Sequence, residues 1–203
     1  MSSLPPVQRL TQIQIECVER WHREPIDNPY TDFEQLVCRQ HEFNYRLWHQ
    51  EDIARSPTAT DQQIAEVKRA IDRLNQSRND MIEQLDDAIT ERLAQAGVVC
   101  ADQTPINTET PGSAIDRLSI MSLRLYHYVE QQQREDADDE HRQKVGARID
   151  LCRTQHADLS ESLQMLIDDF FAGRKRHKTY RQMKMYNDPS LNPAIYNAGA
   201  NDG

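Results

Sequence analysis

Polar side chains recur at helical spacing on faces that should be buried, and they are this chain's candidates for binding or catalysis. In the segment from Thr31 to Arg55, the residues Val37, His41, Asn44, Trp48, Glu51 and Arg55 step by 4, 3, 4, 3 and 4. That spacing places a histidine, a carboxamide and a carboxylate on one helix face. Lys68, Asp72, Asn75 and Asn79 form a second polar stripe, and Asp116, Ser119 and His127 lie near one line of a third helix. Arg78 stands out because it falls four residues after Leu74 and three before Met81, inside an apolar stripe. A buried guanidinium needs a carboxylate or phosphate partner, since an unpaired buried charge costs several kcal/mol. The candidate pocket is therefore lined by His41, Asn44, Glu51, Asp52, Asp72, Asn75, Arg78 and Asp116. Glu51, Asp52 and Asp116 are the expected partners of Arg78. The same residues also read as structural ion pairs and solvated helix faces, and both readings stay open at this point.

The string PINTETPGS is a second candidate, delivering Asn107, Thr108, Glu109 and Thr110 to the start of a helix. Free N–H groups at a helix N-terminus can hold an anion, and Thr108 and Glu109 are counted among the candidate binding residues on that ground. Glu109 could equally complete the cap. Metal motifs are weak. Glu19–His22 is the only Glu-x-x-His pair, and Glu16–Glu19 and Glu83–Asp86 have the wrong separation for a paired-carboxylate magnesium site. Cys17, Cys38, Cys100 and Cys152 contain no Cys-x-x-Cys pair, so the expectation is reduced, packing cysteines and no metal ligands. His156 sits between Cys152 and Leu159 on an apolar seam and is read as structural.

Helices carry all of these groups. Gly is scarce, at 6 in 203 residues, and Gln, Glu, Asp, Arg, Ala and Leu are plentiful, which favours helix over strand. The first helix is expected from Val7 to about Arg23, followed by a linker marked by Pro25 and Pro29. A capping box, Thr31 with Glu34, should start the second, which ends near Arg55 because Ser56 precedes Pro57. Thr60 with Gln63 should cap a long third helix with the stripe Ile64, Val67, Ile71, Leu74, Met81, Leu85 and Ile89. A loop of about 16 residues, Ala96 to Gly112, precedes helix four, from Ser113 to about Gln133; Thr110 is its N-cap and Pro111 stands at the first helical position. Helix four is apolar on nearly every side and should be the central one. The acidic run Arg134 to Glu140 reads as a solvated turn. In helix five, Val145, Ile149, Cys152, His156, Leu159, Leu163, Leu166 and Phe170 step by 4 and 3 alternately, a heptad seam.

The fold class is thus all-α, an antiparallel bundle of five or six helices over residues 1–172, with a basic and turn-rich tail over 173–203 that packs on it. Arg174, Lys175, Arg176, Lys178, Arg181 and Lys184 carry +6, which leaves −15 on the rest of a chain whose total is −9. The tail should dock on acidic surface, and the overall acidity argues against a nucleic-acid partner. The start MSSLPPVQRL has no basic region followed by an apolar run, and no stretch of about 18 apolar residues occurs, so a soluble cytoplasmic protein is expected.

The strings LWHQEDIAR, VKRAIDRLNQSRNDMIE, PINTETPGSAIDRLSIMSLRLYH and YRQMKMYNDPSLNP resemble a bacterial domain-of-unknown-function family, number four-two-five-four, over almost the whole chain. GSAIDRLSI also resembles a motif of a second uncharacterised family. The resemblance implies an α-helical protein without an established activity. It also suggests a context of glycosyltransferases and cell-surface polysaccharide assembly. It supplies no catalytic residues and no known cofactor. Two functions are expected from this reading. One is a binding or accessory protein for an anionic ligand such as a sugar phosphate or nucleotide sugar, or for a glycosyltransferase partner. The other is a metal-dependent hydrolase of a phosphorylated small molecule, which clustered Glu51, Asp52, Asp72 and Asp116 would favour.

Overall fold

The computed structural model describes residues 4–181, 190, 191 and 193. Among the described residues five helices run in order, α1 (Val7–Trp21), α2 (Asp32–Ala54), α3 (Asp61–Gln95), α4 (Pro111–Gln133) and α5 (Asp139–Phe171), and together they form an all-α antiparallel bundle. The Thr60 and Gln63 side chains reciprocally cap α3. Thr110 accepts from the Ser113 N–H with Pro111 in the first turn of α4. Proline costs nothing at that position because its missing N–H would have had no helical partner.

Helix α4 packs against all four other helices. Its buried residues include Ile115, Leu118, Met121 and Leu123, spread round its circumference. The main core joins Leu10, Phe33, Val37, Leu85, Ile89, Ile115, Leu118, Leu163, Ile167 and Phe170. A second cluster gathers Ile13, Cys17, Trp21, Cys38, Tyr45 and Leu123. On α5 the seam is buried at Ile149, Cys152, Leu163, Leu166 and Phe170. His156 is half-buried, its Nε2 3.4 Å from the Ser122 hydroxyl.

Three boundaries differ from the sequence expectation. Thr31 makes no side-chain cap, and Glu34 instead pairs with Arg9 of α1. The cause lies next door: Asp32 has φ of 55°, in the left-handed region, and its carboxylate pairs with Arg92 of α3. A tertiary ion pair has displaced a local cap at the cost of a strained residue, a conformation that aspartate tolerates better than most. Second, α1 stops at Trp21, with His22 as its C-cap. Third, α5 begins at Asp139, six residues before Val145, because the Asp138 carboxylate accepts from the His141 N–H. Part of the acidic run is therefore a helix start, where negative side chains suit the helix dipole. The stripe of α3 also begins late: Ile64 is exposed and Val67 is its first buried residue.

At the chain's basic end, the Arg176 N–H bonds to the Pro105 carbonyl, pairing the segment with the α3–α4 loop. Arg174 and Lys175 face Asp169, and Arg181 bridges Glu83 and Asp87 of α3. Lys184 and most of the turn-rich tail lie outside the described residues.

Candidate functional site

The site is built on Asp116 of α4, which is 4% exposed. Its Oδ1 accepts from Gln40 Nε2 at 2.6 Å, Asn44 Nδ2 at 2.9 Å and Arg78 Nε at 2.7 Å. The Arg78 Nη2 donates to Oδ2, which completes a bidentate pair. Arg78 is thus paired with one of its three expected partners. Its fork lies against the carboxylate while part of the side chain stays 26% exposed, so the stem is half-buried rather than sunk in the core. The pair raises the Arg78 pKa, chiefly through the hydrogen bond to Asp116. One turn further along α4, the Ser119 hydroxyl meets Asn44 Nδ2 at 2.9 Å and His41 Nδ1 at 2.7 Å. Helices α2, α3 and α4 are therefore tied by one continuous polar lattice.

His41 is fully buried and stacks on Trp21, with ring centroids 5.4 Å apart. Burial pushes its pKa down to about 3. Its neutral form is the one the fold accepts, so the sign of its pH effect is fixed. Below the ordinary histidine range of about 6.5 the unfolded chain binds a proton that the folded chain refuses. Stability is fully present above that range and falls as pH drops from about 6.5 toward 3, at up to about 1.4 kcal/mol per pH unit from this group. Denaturant titrations from pH 7 to pH 4.5 should show a His41→Gln variant with a flatter decline than the parent. Parallel curves would remove His41 from the account.

Above the lattice opens a cleft of about 340 Å³ bordered by Asn44, Trp48, Glu51, Asp52, Arg55, Asn75, Arg78, Ile120 and Arg124. The structure thus brings six of the sequence candidates to one place: Asn44, Glu51, Asp52, Asn75 and Arg78 line the cleft and Asp116 lies beneath it. Glu51 is paired with Arg55. His41 belongs to the buried lattice and not to the cleft wall. Asp72 is exposed, is paired with Lys68 on its own helix and does not line the cleft. Thr108 and Glu109 are also exposed and do not line the cleft. Glu109 pairs with Arg117, and the start of α4 is capped by Thr110 and by Asp86, whose carboxylate accepts from the Gly112 N–H at 2.7 Å. The carboxylates Glu51, Asp52, Asp72 and Asp116 do not converge.

The polar stripes omit several members of the site. Gln40 lies on the face of Asn44, one turn earlier, and is completely buried; its place on the His41–Asn44 face is the signal that could have found it. Arg124 follows Ile120 by one helical turn on α4. It borders the cleft above the lattice and two adjoining ones of about 560 and 320 Å³. Among the described residues Arg124 pairs with no carboxylate. His22, His49 and His127 carry no joint sequence signal, yet the fold brings them together: one ring nitrogen from each lies within 4.8 Å of the other two. Burial, then the neighbouring His22 and His127, hold the His49 pKa below the usual histidine value.

Bundle and lattice together describe an all-α protein with a polar centre and a cleft open above it. The chain belongs to the family described as "Protein of unknown function (DUF4254)", whose model matches residues 34–179. That match runs from α2 into the basic segment and includes every lattice residue. No curated protein and no solved structure matches the chain. No helix among the described residues is long and apolar enough to cross a membrane.

Proposed function

We propose that this chain is a binding or accessory protein whose cleft above the Arg78–Asp116 pair takes an anionic small molecule of the sugar phosphate or nucleotide sugar class. A glycosyltransferase in cell-surface polysaccharide assembly is the partner this reading expects, and a cytoplasmic setting suits it. The observation that carries the proposal is Arg124, a guanidinium with no carboxylate partner among the described residues, at the junction of three clefts. A guanidinium offers a planar fork that matches phosphate oxygens. Asn75 adds a carboxamide suited to hydroxyl groups, and Trp48 adds an aromatic surface suited to a sugar or base. The alternative hydrolase reading rests on clustered carboxylates, and Asp116 is already committed to Arg78 while Asp72 does not line the cleft.

The test is a thermal-shift panel of nucleotide sugars and sugar phosphates, since a molecule that binds only the native state stabilises it by about 2.7 kcal/mol at a hundredfold excess over Kd. At least one member should raise the Tm saturably, and Arg124→Ala should abolish that rise while leaving the unliganded Tm within about a degree. Equal shifts in the parent and in Arg124→Ala would refute the assignment of the cleft.

A further inference from the structure

The structure assigns a second site, independent of the cleft reading: we infer that His22, His49 and His127 bind a divalent late transition-metal ion of the zinc class through their Nε2 atoms. The three come from different helices, His22 capping the end of α1, His49 on α2 and His127 on α4. Their ring centroids are 5.2 to 6.0 Å apart. Among the described residues, the Nε2 atoms of all three are buried without a hydrogen-bond partner. A buried polar atom left unpaired costs about 1–3 kcal/mol, and three of them within one histidine cluster require an explanation.

The other ring nitrogens supply it. His22 Nδ1 lies 2.6 Å from the Val18 carbonyl oxygen, which can only accept, so Nδ1 carries the proton. His127 Nδ1 lies 2.7 Å from the Glu130 carboxylate. Both contacts leave the Nε2 lone pair free, and a carboxylate or carbonyl behind the imidazole is the arrangement that orients metal-binding histidines. Nitrogen ligands about 2.0–2.1 Å from a tetrahedral zinc ion are about 3.3 Å apart. One ring nitrogen of each histidine already lies within 4.8 Å of one from each of the others, so small ring movements bring three nitrogens to that spacing. The C-terminal end of α1 adds a favourable negative potential for a cation. Tyr126 stacks on His22 and Trp48 on His127, walling the space with apolar surface. An all-imidazole set selects zinc, copper or nickel over magnesium or calcium. Three protein ligands leave a fourth position for water or an exchangeable group. His41 and His141 also have an unpartnered Nε2, but neither belongs to a group of three donors among the described residues.

Full-length protein stripped with EDTA and dialysed should bind one Zn²⁺ per chain by calorimetry. His49→Ala and His127→Ala should each weaken binding at least a hundredfold, with helical circular dichroism unchanged. Glu130→Gln keeps the three ligands but loses the carboxylate behind His127, and should weaken binding about tenfold. Cys17→Ser should leave it unaltered. If a histidine variant fails to fold, long-range ¹H–¹⁵N spectra of the parent decide: Zn²⁺ should move the Nε2 resonances of His22, His49 and His127 and spare those of His41 and His156. Absence of saturable one-to-one binding, binding that survives His49→Ala, or binding lost in Cys17→Ser would each overturn the site.

Discussion

Replacing Asp116 by alanine is expected to destabilise the protein by about 3–5 kcal/mol, which is the range for removing one partner of a buried ion pair. The magnitude follows from what is left behind. Arg78 loses both bonds of its fork, and the Gln40 and Asn44 amides lose their shared acceptor in sites where Gln40 is fully enclosed and Asn44 nearly so. Water can reach part of the Arg78 side chain, which is 26% exposed, so the lower half of the range is the better expectation for the charge itself. The orphaned amides raise it again. Replacing both charges together, Arg78→Met with Asp116→Leu, should recover part of the loss, because no unpaired charge then remains. Urea unfolding of Arg78→Met, Asp116→Leu and the double variant measures the coupling. Additive losses would mean that the pair contributes no specific coupling.

Gly112→Ala should cost about 3 kcal/mol, at the upper end of the usual range for overpacking. A Cβ at this position would lie 2.5 Å from the Ile82 carbonyl oxygen and 2.9 Å from Cγ and Oδ1 of Asp86. The first of these atoms is backbone of α3 and cannot swing aside. The second belongs to the carboxylate that accepts the Gly112 N–H, so relieving one clash breaks the bond that docks α4 on α3. Thermal unfolding followed by circular dichroism should show a fall in Tm of about ten degrees. An unchanged Tm would mean that the two helices separate more easily than this contact implies. Gly97 offers a comparison free of steric clash, since its Cβ would meet nothing within 4 Å among the described residues, and the cost there would come from its φ of 70° alone.

Helix identity is legible in the sequence wherever local chemistry decides it. Thr60 with Gln63 and Thr110 with Pro111 mark starts that no distant residue contests, and the alternating seam of α5 can be buried only along one line. Arg78 is legible for a related reason: its position in an apolar stripe demands a carboxylate, and Asp116 is among the few that the helix faces can deliver. Thr31 is not legible, because Arg9 and Arg92 compete for Glu34 and Asp32 from α1 and α3, and those contacts exist only after folding. The histidine cluster is hidden for a geometric reason. Its members are 27 and 78 residues apart on three helices, so no spacing within one helix announces them. Glu19–His22 points to the wrong neighbour: the partners of His22 come from α2 and α4.

Helix α3 is 35 residues long, about 50 Å at 1.5 Å per residue, and its first six residues, Asp61 to Glu66, are all exposed. Those opening turns are held by the Thr60–Gln63 cap and by little buried surface. Their amide hydrogens should therefore exchange with deuterium through small fraying events, while amides near Leu85 and Ile89 wait for unfolding of the whole bundle. A protease given the native protein should accordingly nick the chain first between α2 and α3, near Pro57 and Thr58, and leave the lattice beneath the cleft intact.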